Sequence, residues 1–145
     1  VPLKVMYPDA DIPVVQLSMP THDPEKLLEL GARLKPLREQ GVLVIGSGFM
    51  THGLPFIRDW RTDAEAPQWS AEFDEWVKEV LTKGDLETLI RYRETAPGMP
   101  YAHPTVEHFT PLFITLGASV DPEQKSETKI DGYFMGLAKR SIRVA

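Results

Sequence analysis

Cysteine is absent from the 145-residue sequence, which excludes a disulfide framework and a thiolate metal site. Any metal held by this chain must therefore be bound by histidine, aspartate or glutamate. The sequence also lacks an apolar run near the roughly 18 residues of a membrane-spanning helix, and no signal-peptide pattern opens it. We therefore expect a cytoplasmic protein that has no membrane partner.

Positive charge is in the minority, with 16 Lys and Arg against 21 Asp and Glu, for a net charge of -5. This balance argues against nucleic acid as a partner, because a nucleic-acid site needs clustered positive charge. The hydrophobic fraction of 42% and the charged fraction of 26% are typical of a globular domain. Residues 1–8 contain no initiator methionine and no element long enough to begin a domain, so we expect the chain to be the C-terminal part of a longer polypeptide.

Two apolar segments separated by a helix predict a βαβ unit near the start of the chain. Residues 12–19 and 42–45 are the predicted strands. Between them, Asp23-Pro24 is typical of a helix start and Gly41 of a helix end. Such a unit has a right-handed crossover and indicates the α/β class.

Two further helices are predicted in the middle of the chain. Ser70 is the predicted N-cap of the first, which ends at Gly84. Asp85 is the predicted start of the second. The segment 55–68 between strand and helix is interpreted as a polar surface loop.

The C-terminal third predicts one helix and a small sheet. The helix is expected from Thr105 to Gly117, with a start at Thr110-Pro111 as the alternative, because an interior proline removes a helical hydrogen bond. Residues 122–129 are predicted to form a charged turn. Residues 133–144 are predicted to supply one or two closing strands.

His52 lies in a glycine-rich loop directly after the second predicted strand. Open α/β sheets bind ligands beyond the strand ends, so His52 is a candidate general acid or base. The alternative is a loop histidine bonded to a neighbouring carbonyl. Gly46-Ser47-Gly48 lacks the endings of a phosphate loop and of a dinucleotide fingerprint. A nucleophilic Ser47 is a further alternative, although the segment does not match the nucleophile-elbow pattern.

The second histidine-containing segment holds His103 and His108. The neutral imidazole of His108 could bind a divalent metal, and the alternative is a core histidine bonded to the backbone. The two histidines are five residues apart and do not share a helix face. A complete metal site from His103, Glu107 and His108 alone is therefore not expected. His22 is interpreted as a solvated residue at a helix start.

Taken in order, these segments resemble the class III extradiol ring-cleavage dioxygenases, in particular the branch of DOPA-type dioxygenases. The matching stretches cover nearly the whole chain: Val1-Pro2-Leu3, Met6-Tyr7-Pro8, Ile12 to Ser18, Gly46-Ser47-Gly48, His52-Gly53-Leu54, His103-Pro104-Thr105, Glu107-His108, Pro111-Leu112, Leu116-Gly117-Ala118 and Gly132 to Val144. The resemblance implies an α/β fold with a mixed central sheet flanked by helices. Residues 1–145 would be the C-terminal part of a single catalytic domain, with the N-terminal half absent.

The resemblance also implies an activity, which is opening of a catechol-type ring with O2 at a non-haem Fe(II) or Zn(II). His52 would be the catalytic acid/base that takes a substrate proton and returns one as the ring opens. His108 would be one metal ligand. The other two metal histidines would belong to the N-terminal half or to a partner chain. A homo-oligomer is left open as an alternative.

Four further residues are implied for the surroundings of the site. His103 would contact the substrate or support the residues that do, with contact to the metal as the alternative. Phe49, Met50 and Thr51 would line the pocket. These roles follow from the resemblance and not from spacing.

Three alternative functions fit the same residues. The chain could be a metal-dependent or serine hydrolase on a similar α/β scaffold, which would act without O2. It could be a non-catalytic binding module of the same fold. It could also be a regulatory or split subunit that completes its site with another chain.

Overall fold

Helices dominate the computed structural model, which describes residues 2–144 of the protein. The α-helices over these residues are α1 (Pro2–Met6), α2 (Pro24–Leu34), α3 (Gln68–Lys83), α4 (Leu86–Ile90), α5 (Tyr92–Thr95) and α6 (Pro111–Gly117). Short 3₁₀ helices cover Lys35–Gln40 and Leu54–Phe56. The strands are β1 (Glu127–Ile130), β2 (Tyr133–Phe134), β3 (Leu137–Ala138) and β4 (Ser141–Arg143).

The strands form two small antiparallel pairs at the C-terminal end of the chain. Strand β1 pairs with β4, and β2 pairs with β3, in which Tyr133 lies opposite Ala138. The prediction of closing strands within 133–144 is therefore confirmed. The predicted charged turn at 122–129 is wrong in its last part, because residues from Glu127 onward find a partner in β4 and extend as β1.

Local capping explains where the first long helices begin and end. The Asp23 side chain accepts hydrogen bonds from two backbone N–H groups of the first turn of α2, as predicted. The following 3₁₀ turn ends at Gly41, and α3 ends at Gly84, both in the left-handed conformation that glycine favours. Asp85 accepts a hydrogen bond from the Thr88 N–H at the start of α4.

Two predicted helix starts are wrong. Helix α3 begins at Gln68, so Ser70 lies inside its first turn, where its side chain is buried. Helix α6 begins at Pro111 and not after Thr105, which agrees with the alternative start. The reason is the proline, which is tolerated at the first helical position but not in a helix interior.

The core is an aromatic cluster between α3, α5 and α6. Phe109 has its ring centroid 5.3 Å from that of Phe73, 4.8 Å from that of Tyr92 and 5.7 Å from that of Phe113. All four side chains are almost fully buried. Edge-to-face and tilted packing of this kind is the favoured arrangement of aromatic rings, and burial of these side chains is the main stabilising contribution.

A buried ion pair joins α3 to the C-terminal strands. Arg140 donates from Nε and Nη2 to the Asp74 carboxylate, each at 2.7 Å, and both side chains are 5% exposed. The paired carboxylate raises the pKa of Arg140 further, so the guanidinium stays charged. Such a bidentate pair fixes the register between the two elements.

The predicted strands at 12–19 and 42–45 are not strands in this structure, and the predicted βαβ unit is therefore not formed. Both segments are exposed, with Val15 at 90% and Leu43 at 64%. A strand requires a neighbour that accepts its hydrogen bonds, and none of residues 2–144 supplies one to either segment. The mixed central sheet is accordingly not seen among the described residues, which combine helices with small sheets.

Over residues 2–144, every helix is too short or too polar to cross a lipid bilayer.

Candidate active site

His52 and His108 lie side by side, although 56 positions separate them in the sequence. Their ring centroids are 3.6 Å apart, and the ring planes are inclined by 26°. Both side chains are half-buried. The structure therefore brings together the two histidines that the sequence analysis singled out as acid/base and metal ligand.

Backbone hydrogen bonds hold the loop of His52 against the segment of His108. The Phe49 N–H donates to the His108 carbonyl at 3.0 Å. The His52 N–H donates to the Ala102 carbonyl at 2.8 Å. These two hydrogen bonds tie the loop to both ends of the segment 102–108. The rings of His52 and His108 are thereby brought into contact.

A second set of contacts anchors the same loop to the core. The Met50 N–H donates to the Ala138 carbonyl at 3.2 Å, and the Thr51 hydroxyl oxygen accepts from the Ala138 N–H at 2.7 Å. The Thr51 hydroxyl also shares a hydrogen bond of 2.8 Å with Ser70. Thr51 is fully buried, so its polar group is satisfied inside the protein.

Glycine at positions 46 and 48 lets the loop approach the backbone before α6. A Cβ atom on Gly48 would lie 1.9 Å from the His108 carbonyl oxygen, and one on Gly46 would lie 2.8 Å from the Pro111 carbonyl oxygen. Neither position tolerates a side chain without movement of backbone. The Gly-Ser-Gly segment is thus explained by close packing, and Ser47 between the two glycines is exposed.

Burial and charge together lower the pKa of His52 below its ordinary value. Partial desolvation is the largest cause, followed by repulsion from His108, while the carboxylate of Glu107 acts in the opposite direction. The His52 ring is therefore neutral at pH 7. A neutral imidazole can accept a proton, which is the state that a general base requires.

His103 lies behind this pair and is almost completely buried, at 1% exposure. Its Nε2 atom is 2.8 Å from the Met50 carbonyl oxygen. Its ring packs against Phe73 and Phe109, whose ring centroids lie 5.1 and 5.2 Å from that of His103. His103 is therefore enclosed behind the loop and does not face the open side of the site.

An open cavity of about 370 Å³ adjoins His108. Its lining consists of Leu43, Val44, Ile45, Gly46, Gly48, Phe49, Met50, His108, Phe109, Pro111, Leu112, Thr115, Arg140, Ser141, Ile142, Arg143 and Val144. Of the expected pocket residues, Phe49 and Met50 line this cavity, whereas Thr51 faces the core. His52 does not line this cavity either. Its ring stacks on the ring of His108, which does.

A complete metal site is not present among residues 2–144, where no three histidine, aspartate or glutamate side chains converge. The His108 side chain is 38% exposed, and its Nε2 atom is 3.8 Å from a Glu107 carboxylate oxygen. One histidine can provide a single ligand but cannot hold a catalytic metal, which needs about three protein ligands. His22 is exposed at the start of α2, where its Nδ1 atom is 3.1 Å from the Thr110 hydroxyl.

Ser70 contributes to the site through a hydrogen bond that its position in the sequence does not indicate. Its hydroxyl lies 2.8 Å from that of Thr51, and so connects α3 to the loop of His52. The backbone groups of Ala102 and Ala138 were missed as well. Backbone donors and acceptors have no signature in side-chain type, so no signal in the sequence could have identified them.

Comparison with known proteins identifies the family. Residues 1–138 match the model of the family described as "Catalytic LigB subunit of aromatic ring-opening dioxygenase". A 4,5-DOPA dioxygenase extradiol of Beta vulgaris is 46% identical over 123 residues, which are 82% of this chain and 44% of that protein. The one of Escherichia coli K12 is 36% identical over 144 residues, 96% of this chain and 52% of that protein.

A solved structure agrees with this result. The crystal structure of the uncharacterized protein JW3007 from Escherichia coli K12 has a TM-score of 0.85 and 35% identity, and covers 99% of this chain and 59% of that chain. The chain spans about half the length of the curated relatives that it matches. On the family match and these identities, the chain belongs to the LigB family of aromatic ring-opening dioxygenases.

Proposed function

We propose that this chain is the part of an extradiol dioxygenase that carries its acid/base histidine and one metal ligand. The enzyme would open the ring of a catechol-type substrate with O2 beside the two hydroxyls. The observation that carries the proposal is the contact of His52 with His108, at 3.6 Å between ring centroids. Relatives named 4,5-DOPA dioxygenase extradiol support the same reaction class.

Among the described residues, His108 is the one that we propose as a metal ligand. Its imidazole is partly exposed beside an open cavity, so it can reach a bound ion. LigB-family dioxygenases depend on a non-haem metal, and Fe(II) or Zn(II) is our proposal here. Residues 2–144 alone do not complete such a site.

His52 is the proposed proton-transfer residue. Burial keeps its ring neutral at pH 7, so that it can take a proton from a phenol hydroxyl and later return it to the ring-opened product. Its backbone N–H donates to the Ala102 carbonyl, which anchors this residue of the loop next to the histidine segment. The position of the ring is therefore set by the loop and its reactivity by the surroundings.

The remaining metal ligands would come from outside this chain, either from an N-terminal half or from a partner chain. Two exposed apolar segments support this proposal, because Val15 and Leu43 lie in stretches that have no strand neighbour over residues 2–144. Exposed apolar segments without a neighbour of this kind are typical of an interaction site. The proposed partner supplies both the missing strands and the missing ligands.

Incorporation of labelled oxygen tests the proposal. A preparation competent for turnover is incubated with a catechol and ¹⁸O₂, and the product is analysed by mass spectrometry. We expect a ring-opened product that carries two ¹⁸O atoms, with no turnover under nitrogen. Turnover that continues without O2 would instead favour a hydrolase, and absence of any turnover with metal present would favour a binding module.

A further inference from the structure

The two ring nitrogens of His103 have very different surroundings. Its Nε2 atom lies 2.8 Å from the Met50 carbonyl oxygen, whereas its buried Nδ1 atom has no hydrogen-bond partner among the described residues. A carbonyl oxygen can only accept, so Nε2 must carry the proton. The contact therefore fixes the tautomer of the ring.

The ring has little freedom to change this arrangement. Phe73 packs edge-on at 5.1 Å and Phe109 lies at 5.2 Å, both between ring centroids. Desolvation, the largest cause, lowers the pKa of His103 to about 4, so the ring is neutral at physiological pH. Because the side chain is 1% exposed, it contacts neither solvent nor a ligand in the cavity.

The carbonyl that His103 holds lies two residues before His52. The other hydrogen bonds of this loop with the histidine segment run between backbone groups, from Phe49 to His108 and from His52 to Ala102. Over residues 2–144, His103 is thus the side chain of that segment that hydrogen-bonds to the loop, whereas His108 contacts it by ring stacking. A change at His103 moves the loop without removing any group that touches substrate.

We propose that His103 is a positioning residue, whose Nε2–H bond to the Met50 carbonyl holds the His52 ring in register with His108. This inference rests on the proposed function of His52. Its consequence is that loss of the bond lowers kcat and leaves KM nearly unchanged, because a displaced base affects the reaction but not substrate binding.

Two variants of the active protein separate this role from simple core packing. His103→Leu fills the space but cannot donate, whereas the amide of His103→Gln reaches about as far as Nε2 and can donate to Met50. Leu89→Ala is the matched control, because Leu89 is equally buried in the same core but lies outside the site. Each is measured for kcat, KM and the midpoint of urea unfolding.

We expect His103→Leu to lose kcat about tenfold or more, with KM within about twofold, and His103→Gln to recover kcat to within about threefold of the wild type. Leu89→Ala should lose stability without this kcat loss. The proposal is overturned if His103→Leu loses only stability, or if His103→Gln is no better than His103→Leu.

A measurement without turnover keeps the test independent of the proposed activity and of variant folding. In ¹⁵N-resolved NMR of the wild-type protein, His103 should show the Nε2–H tautomer with a slowly exchanging ring proton. A ring proton on Nδ1, or rapid exchange with water, overturns the positioning role. If this tautomer is found while ring cleavage is absent, the failure lies in the proposed function, and the hydrogen bond of His103 to the loop is still established.

Discussion

At the residue scale, the site depends on three imidazoles that the protein treats differently. His108 keeps a partly exposed ring beside the cavity, His52 stacks against it at 3.6 Å between ring centroids, and His103 is buried behind both. These differences in exposure match the proposed roles. The proposed metal ligand His108 and the proposed base His52 have to be accessible to a metal or a substrate. The proposed positioning residue His103 acts through the loop and can be buried.

The first prediction concerns the pH dependence of stability that His103 produces. Its pKa is about 4 in the folded protein and 6.5 in a solvated chain, so the unfolded state takes up its proton first as pH falls. The free energy of unfolding contributed by this group should therefore fall by about 3 kcal/mol between pH 7 and pH 4.

Urea unfolding at pH 7 and pH 4 measures this contribution. Other groups titrate over the same range, so the informative quantity is the difference between the wild type and His103→Gln. Between pH 7 and pH 4, the free energy of unfolding of the variant should fall by about 3 kcal/mol less than that of the wild type. Equal losses in the two proteins would contradict the burial of a neutral His103.

At the element scale, the loop of His52 shows how backbone packing builds the site. Gly46 and Gly48 bring the loop to within contact of the Pro111 and His108 carbonyls, where a Cβ would collide. The buried hydroxyl of Thr51 then holds the loop in place, because it accepts a hydrogen bond from the Ala138 N–H. The elements themselves are short, so the precision of the site comes from these contacts and not from a long helix or strand.

Gly48→Ala should therefore displace the loop. Because the added Cβ would lie 1.9 Å from the His108 carbonyl oxygen, either the loop or the histidine segment has to move. We expect turnover to fall about 100-fold, the order of loss for a misplacement near 1 Å. The measurement is kcat/KM with a catechol substrate.

Ser47→Ala is the matched control for this variant. Ser47 is the exposed neighbour of Gly48, and its hydroxyl makes no hydrogen bond among the described residues. Turnover within about twofold of the wild type is expected, since a surface change away from the site has little effect. A large loss in Ser47→Ala would point to a serine nucleophile and to the hydrolase alternative.

The buried ion pair between α3 and the C-terminal strands gives a prediction for stability. Asp74→Ala leaves the Arg140 guanidinium buried without its carboxylate, which should cost about 3–5 kcal/mol of unfolding free energy. Asp59→Ala breaks the exposed pair with Arg61 and serves as the control, with no measurable change expected. Similar unfolding midpoints for both variants in urea would refute the structural role of the pair.

Local signals in the sequence were sufficient for some elements and insufficient for others. Asp23 and Gly84 mark the ends of helices because a cap acts within one turn of chain. Residues 12–19 and 42–45 have strand-like composition, but a strand also needs a partner, which depends on distant chain. The pairing of Thr51 with Ser70 was equally hidden, since short hydroxyl side chains have no characteristic spacing.

At the scale of the whole molecule, the described residues form an aromatic core and two exposed apolar segments. Val15 lies in one of these segments and Leu43 in the other. The relatives are about twice as long as this chain, and a partner region would cover these segments in the complete enzyme. The expected single catalytic domain and its oligomeric state stay predictions.

Hydrogen exchange tests whether these segments acquire strand neighbours. Amides 14–17 and 43–45 donate to no backbone carbonyl of residues 2–144, so they should exchange rapidly when this chain is alone. In a preparation competent for ring cleavage, the same amides should be protected. The buried amide of Leu89 in α4 is the internal reference. Rapid exchange in both preparations would exclude the proposed pairing.

The division of labour between His52 and His108 is the central claim of this account, and metal content measured together with turnover tests it most directly. Preparations of His52→Gln and His108→Gln, with His22→Gln as the control, are analysed for bound metal by mass spectrometry and for O2-dependent ring cleavage. We predict that His52→Gln keeps its metal and loses turnover by about 10²–10⁴, whereas His108→Gln loses both. Metal retained at wild-type level in His108→Gln, or normal turnover in His52→Gln, would contradict it.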